Sequence, residues 1–160
     1  MSNSDGSLST SLEDEPEPDN FRLSVYATKH NTHINIMGPD FGKDKDGKLK
    51  IDKRTEKPPL KVYISLSAGN LGFKHSQRKH YDAAFQLASY VFARMEERGY
   101  NGLIRALEVQ LRGFGAGREA VTKALLGSEG RLLRGKVVKV MDATRLKFGG
   151  TRSKKPRRLG

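Results

Sequence analysis

The chain has 160 residues and no cysteine, and its 30 Lys and Arg outnumber 18 Asp and Glu, giving a formal net charge of +12. That length bounds one domain with appendages, and the missing cysteine excludes disulfides, thiolate metal sites and cysteine nucleophiles. No apolar run approaches the ~20 residues of a membrane-spanning helix, and so large a positive excess points to a polyanion, nucleic acid above all, bound in a salt-dependent way.

Residues 1–20 hold six acids (Asp5, Glu13, Asp14, Glu15, Glu17, Asp19) and no base. Rich in serine and poor in apolar residues, they read as a disordered acidic tail, and they match neither a signal peptide nor an Arg-rich transit peptide. Residues 21–36 alternate as a strand, with Leu23, Val25 and Ala27 on one face, a polar break over residues 29–31, then Ile34 and Ile36. Residues 38–59 are charged and punctuated by Gly and Pro, which predicts an inserted loop or hairpin extension. A second strand follows at residues 60–66, where Leu60, Val62, Ile64 and Leu66 recur with period two.

Over residues 80–98, Tyr81, Ala84, Phe85, Ala88, Val91, Phe92 and Met95 recur at spacings of three and four, the signature of a core-facing helix, and Gly99 ends it. A strand at residues 103–111 leads through a glycine turn to a second helix at 118–126, with Val121, Ala124 and Leu125 inward. Val137, Val138, Val140 and Met141 form a last short strand. Residues 145–160 then carry seven bases (Arg145, Lys147, Arg152, Lys154, Lys155, Arg157, Arg158) and no acid, which reads as an arm for nucleic acid. The body at 21–144 keeps a net charge of +11. The order β-β-α-β-α-β predicts a two-layer α/β sandwich in which two main helices pack on an open mixed sheet.

Two segments carry candidate chemistry. In the run GFKHSQRKH at 72–80, Lys74, Arg78 and Lys79 fall before the first long helix, where unpaired amides and the helix dipole favour an anion; cations there are otherwise misplaced. The turn GFGAGRE at 113–119 joins a strand to a helix. Its glycines, Gly113, Gly115 and Gly117, admit a phosphate to the backbone, and Arg118 suits a bidentate contact. Its spacing is G-x-G-x-G rather than the dinucleotide fingerprint G-x-G-x-x-G, so a nucleotide-binding enzyme that uses this turn, with Asp142 on a ribose, is the alternative reading. Phe73 and Phe114, each beside a glycine, either stack on bases or pack against the sheet. His75 and His80 lack the spacing of a helical zinc pair, and Glu108, Asp142 and Asp82 have no spacing that makes them converge, so no metal, cofactor or catalytic group is expected.

The stretches ATKHNTHINI, SAGNLGFKHSQRKHYDAAFQLA, LEVQLRGFGAGREAVTKAL and VVKVMDATRLKFGGTRSKKPRR resemble the universal small-subunit ribosomal protein eleven family, over residues 21–37 and 60–160. The resemblance implies a ribonuclease-H-like topology without catalysis. It also implies a place on the platform of the small subunit near the mRNA exit, with small-subunit rRNA, neighbouring platform proteins and mRNA as contacts. No membrane and no homo-oligomer are expected. Carried over onto this sequence, the family's rRNA-contacting elements fall on Lys29, His30, Asn31 and Thr32, on residues 70–79 (Asn70, Phe73, Lys74, His75, Gln77, Arg78, Lys79), on residues 113–118 and on the tail from Arg145. The chain departs from the family in having His75 where the loop pattern GFRGSRK has glycine, no prolines after Asp142, the insertion at 38–59 and an acidic N-terminal segment. Its short strand–helix turn resembles bacterial and organellar members. Divergence and insertion together point to a mitochondrial ribosome, with a bacterial cytoplasmic or plastid member as the alternative.

Overall fold

The computed structural model describes residues 20–43, 48, 50–52, 54 and 57–155. Five strands form one sheet: β1 (Phe21–Ala27), β2 (Thr32–Pro39), β3 (Leu60–Ser67), β4 (Leu107–Arg112) and β5 (Val137–Asp142). The helices are α1 (Tyr81–Glu97), α2 (Tyr100–Leu103), α3 (Ala116–Leu126) and α4 (Arg131–Arg134), with two 3-10 turns, Ala68–Leu71 and His75–Lys79, ahead of α1. The strand order is β3-β2-β1-β4-β5; β2 runs antiparallel to its neighbours, and β1, β4 and β5 are parallel. This is the mixed two-layer architecture expected from the element order.

One expected strand is two. The segment 21–36 reverses at residues 28–31 and pairs with itself in the register Tyr26↔His33 and Ala27↔Thr32. The turn contains no glycine or proline. Side chains make it: the Thr28 hydroxyl donates to Asn31 O and accepts from Asn31 N, and Asn31 Oδ1 accepts from Thr32 N. These are local bonds by which Thr and Asn imitate a backbone turn.

The insertion begins later than its sequence boundary. Gly38 and Pro39 belong to β2, and a side chain at Gly38 would meet the Phe21 ring, whose Cε1 lies 2.3 Å from the ideal Cβ position. Beyond β2, Asp40 N donates to Pro59 O at 2.8 Å and Lys50 N to Gly42 O at 3.2 Å. The strand expected at 103–111 starts at Leu107, because residues 100–103 make one helical turn after Gly99, whose φ of 68° ends α1.

The core lies on one face of the sheet. Leu23, Val25, Ile34, Ile36, Leu107 and Val109 pack beneath Leu87, Ala88, Val91 and Met95 of α1 and Val121, Ala124 and Leu125 of α3. Leu87, outside the expected stripe, is fully buried, whereas Tyr81 and Phe85 sit at the stripe's margin and stack at 6.2 Å. Among the described residues, the opposite face carries no helix. No helix among them is long and apolar enough to cross a membrane.

Candidate nucleic-acid interface

From β1 the chain proceeds to β2 on one side, and from β4 to β5 on the other, so the sheet changes direction between two adjacent parallel strands. Open α/β sheets form ligand crevices at the carboxyl ends of such a pair. Here that position is an open groove of about 620 Å³, lined by residues 26–29 after β1, residues 113–116 after β4, and Lys79. Lys29 and Lys79 stand at its wall, and among the described residues neither is paired with a carboxylate. The α3 helix begins at Ala116 beside them, with Gly115 as N-cap. Its first amides have no intrahelical acceptor, and its dipole adds positive potential to that of the lysines.

The glycines of this turn face the chain itself. A Cβ on Gly113, whose φ is 82°, would lie 2.2 Å from Ala27 O; on Gly115, 2.1 Å from Thr28 O; on Gly117, 2.0 Å from Thr32 Oγ1. Gly115 N donates to Ala27 O at 3.1 Å. The three glycines therefore let the β4–α3 turn lie directly against the β1–β2 turn. They shape the groove by closing its floor.

Arg118 is likewise committed inside the protein. Its guanidinium donates to Asp142 Oδ2 at 2.9 Å and to Gly113 O at 3.3 Å, and lies 5.2 Å from the Phe114 ring centroid. Thr144 completes the cluster by accepting from Gly113 N at 3.1 Å and donating its hydroxyl to Asp142 Oδ1 at 2.6 Å. The Thr144 hydroxyl and amide, followed by Arg118, pull the Asp142 carboxyl from an ordinary 3.8 down to about 2. A lowered carboxyl stabilises the fold above its unfolded value, and that contribution disappears as pH falls from 3.8 through about 2. Followed by NMR, Asp142 should titrate near 2, and Thr144→Val should raise the midpoint more than Arg118→Gln. A wild-type midpoint at 3.8 would contradict the cluster.

The 72–80 run is also rearranged. Its bases Arg78 and Lys79 lie in a 3-10 turn, His75–Lys79, whose C-cap His80 is also the N-cap of α1, so Lys79 stands immediately before that helix. Lys79 alone of these bases reaches the groove; Lys74 is the exposed N-cap of the 3-10 turn, and Arg78 packs beside Gly69. The lysines that line the groove are Lys29 and Lys79. Gln77 accepts from Lys74 N at 3.5 Å, and Asn70 Oδ1 accepts from Ser67 N and Oγ. His75 adopts φ 49°, the left-handed backbone. That is a conformation glycine takes freely and histidine at a cost of about 1–2 kcal/mol, so the loop keeps a glycine-type backbone without the glycine.

Phe73 is half-buried and Phe114 is 77% exposed at the groove rim, which separates two phenylalanines that sequence treated alike. Both ring nitrogens of His30 are buried without a partner, while the Asn31 amide meets His33 Nε2 at 3.3 Å. Beyond Thr144, residues 145–155 are exposed, with Arg145, Lys147, Arg152, Lys154 and Lys155 among them; Arg157 and Arg158 lie outside the described residues, as does the acidic segment 1–19. Glu108 binds Arg22 and Asn20, and no cluster of three His, Asp or Glu suited to a metal occurs among the described residues. Sequence reasoning missed Tyr26 in the groove wall and Thr144 as the anchor of the tail. Neither has a periodic or motif signal, and only the strand register brings them to the site.

Comparison with known proteins gives a consistent picture. The family profile described as ribosomal protein S11 matches residues 55–158. The small ribosomal subunit protein uS11m of Neurospora crassa is 53% identical over 148 residues, covering 92% of this chain and 33% of that protein. The protein of the same name from Schizosaccharomyces pombe is 35% identical over 139 residues, 87% of this chain and 53% of its own length. The small ribosomal subunit protein uS11 of Rhodopseudomonas palustris is 36% identical over 93 residues, 58% of this chain and 65% of its own. The chain thus spans a third to under two thirds of the length of these relatives.

Proposed function

The chain belongs to the ribosomal protein S11 family, and from that membership we propose that it is a structural, non-catalytic, RNA-binding component of the mitochondrial small ribosomal subunit. The mitochondrial assignment rests on similarity to the two fungal uS11m proteins. The observation that carries the RNA reading is the groove between β1 and β4, where Lys29, Lys79 and the start of α3 present positive potential at one opening. A ribose-phosphate chain of small-subunit rRNA seats there, its phosphates against the lysines and the α3 amides, and the tail from Arg145 follows the same strand outward. Phe114 at the rim offers a ring to an unpaired base. Recognition comes from RNA shape and splayed bases, because side chains cannot read the deep groove of an A-form helix.

The other expected contacts belong to the same proposal: residues 30–31, Asn70, Phe73, Lys74, His75, Gln77 and Arg78 form flanking surface, with neighbouring platform proteins and exiting mRNA nearby. The direct test is sedimentation of the tagged chain from isolated mitochondria. It should travel with the small subunit and leave that fraction when magnesium is removed or salt is raised. Accumulation as free protein at the top of the gradient contradicts the assignment.

A further inference from the structure

Among the described residues, the face of the sheet away from the helices is unpartnered, and its side chains are arranged rather than merely solvated. Arg112 of β4, Tyr26 of β1 and His33 of β2 are register partners and form one row across three strands. The Arg112 guanidinium lies 4.4 Å from the Tyr26 ring centroid, and the Tyr26 and His33 rings stack at 6.3 Å with planes 25° apart. The row stops at β3, where the partner of His33 is Ser67. A serine is too small to cover an imidazole, so the outer face of the His33 ring opens onto a shelf.

Hydrogen-bond donors border that shelf. Asn70 uses its Oδ1 to accept from Ser67 N and Oγ, both at 2.9 Å, and Asn35 uses its Oδ1 to accept from Ser65 Oγ at 2.7 Å. Each arrangement leaves an amide Nδ2 with no acceptor among the described residues. The charge of the face is positive: Glu108, its acid, is bonded to Arg22 at 3.1 Å and lies beside Lys139, while Arg112 has no carboxylate partner among the described residues.

We infer that this face is a second RNA surface, which takes single-stranded RNA by stacking a base on His33 and offering the Asn35 and Asn70 amides to its acceptor edge. The inference rests on the RNA reading of the groove but concerns a different ligand form. A stacking ring in one row with the Arg112 guanidinium and near two amides without acceptors suits unpaired bases and their phosphates. A protein partner would call for an apolar centre, and the next row offers Ser65, Asn35, Ser24 and Gln110, with an apolar side chain, Met141, only at its β5 end.

The test measures fluorescence anisotropy of the full chain with two RNAs, an unstructured octamer and a folded rRNA platform fragment. His33→Ala should weaken octamer binding about tenfold, the size of one lost base stack, and leave the folded fragment nearly unaffected. His33→Phe, which keeps a ring but loses the imidazole, should restore the octamer. Octamer binding that ignores His33→Ala, or that His33→Phe fails to restore, overturns the inference. If Lys29→Ala/Lys79→Ala still weakens the folded fragment in that case, the groove reading survives; if the wild-type chain binds neither RNA, both fail.

Discussion

Gly113→Ala should lower the melting temperature by about 10–20 °C, the largest stability effect expected of a single methyl group in this protein. Two costs combine. The residue sits at φ 82°, where an L side chain costs about 1–2 kcal/mol. The new methyl would also stand 2.2 Å from Ala27 O, and backbone rather than a flexible side chain has to give way, for about 1–3 kcal/mol more. Ala27 O is the acceptor for Gly115 N, so relieving the clash pulls on the bond that holds the two turns together. Gly135→Ala is the matched control. Its φ is −69° and its Cβ would meet nothing within 4 Å, so stability should hold or rise slightly as the unfolded chain loses freedom. Thermal melts of the two variants check this, and equal melting temperatures would show that the turn tolerates separation from the β1–β2 reversal.

Truncation after Thr144 should have the largest effect on RNA affinity while sparing the fold. The cut removes seven bases but retains the hydroxyl that bonds Gly113 N and Asp142, so the melting temperature should be unchanged. Each phosphate contact contributes about 0.7–0.9 to the slope of log affinity against log salt. If most of the tail's bases engage phosphates, the slope should fall by about 4–5 and affinity near physiological salt by about a thousandfold. Salt titrations of the intact and truncated chains on the same rRNA fragment measure both. An unchanged slope would mean that the tail is solvated rather than bound.

What the sequence revealed and concealed follows from which signals are local. The α1 helix was legible because its apolar spacing is a property of consecutive residues, and the displacement toward Leu87 shows the limit, since which face is central depends on α3 beside it. The β1–β2 reversal was concealed because Thr28 and Asn31 build it with side-chain bonds in a stretch without glycine or proline. From that omission a second one followed. The glycines at 113, 115 and 117 were visible, but what they approach is the hidden turn, so their role in packing was not. Likewise the bases at 74–79 are plain in the sequence, yet only the 3-10 turn decides that Lys79 lines the groove while Arg78 packs beside Gly69. Arg118 looked free for a phosphate because its partner, Asp142, is adjacent only through β4–β5 pairing.

The groove itself is tested most directly by the salt dependence of rRNA binding in Lys29→Ala/Lys79→Ala against the intact chain. Removing both ammonium groups from the phosphate chain should reduce the slope by about 1.4–1.8, with affinity reduced across RNA sequences alike and the melting temperature unmoved. A slope identical to that of the wild-type chain would mean that no phosphate lies between these lysines, and that the polyanion is held elsewhere.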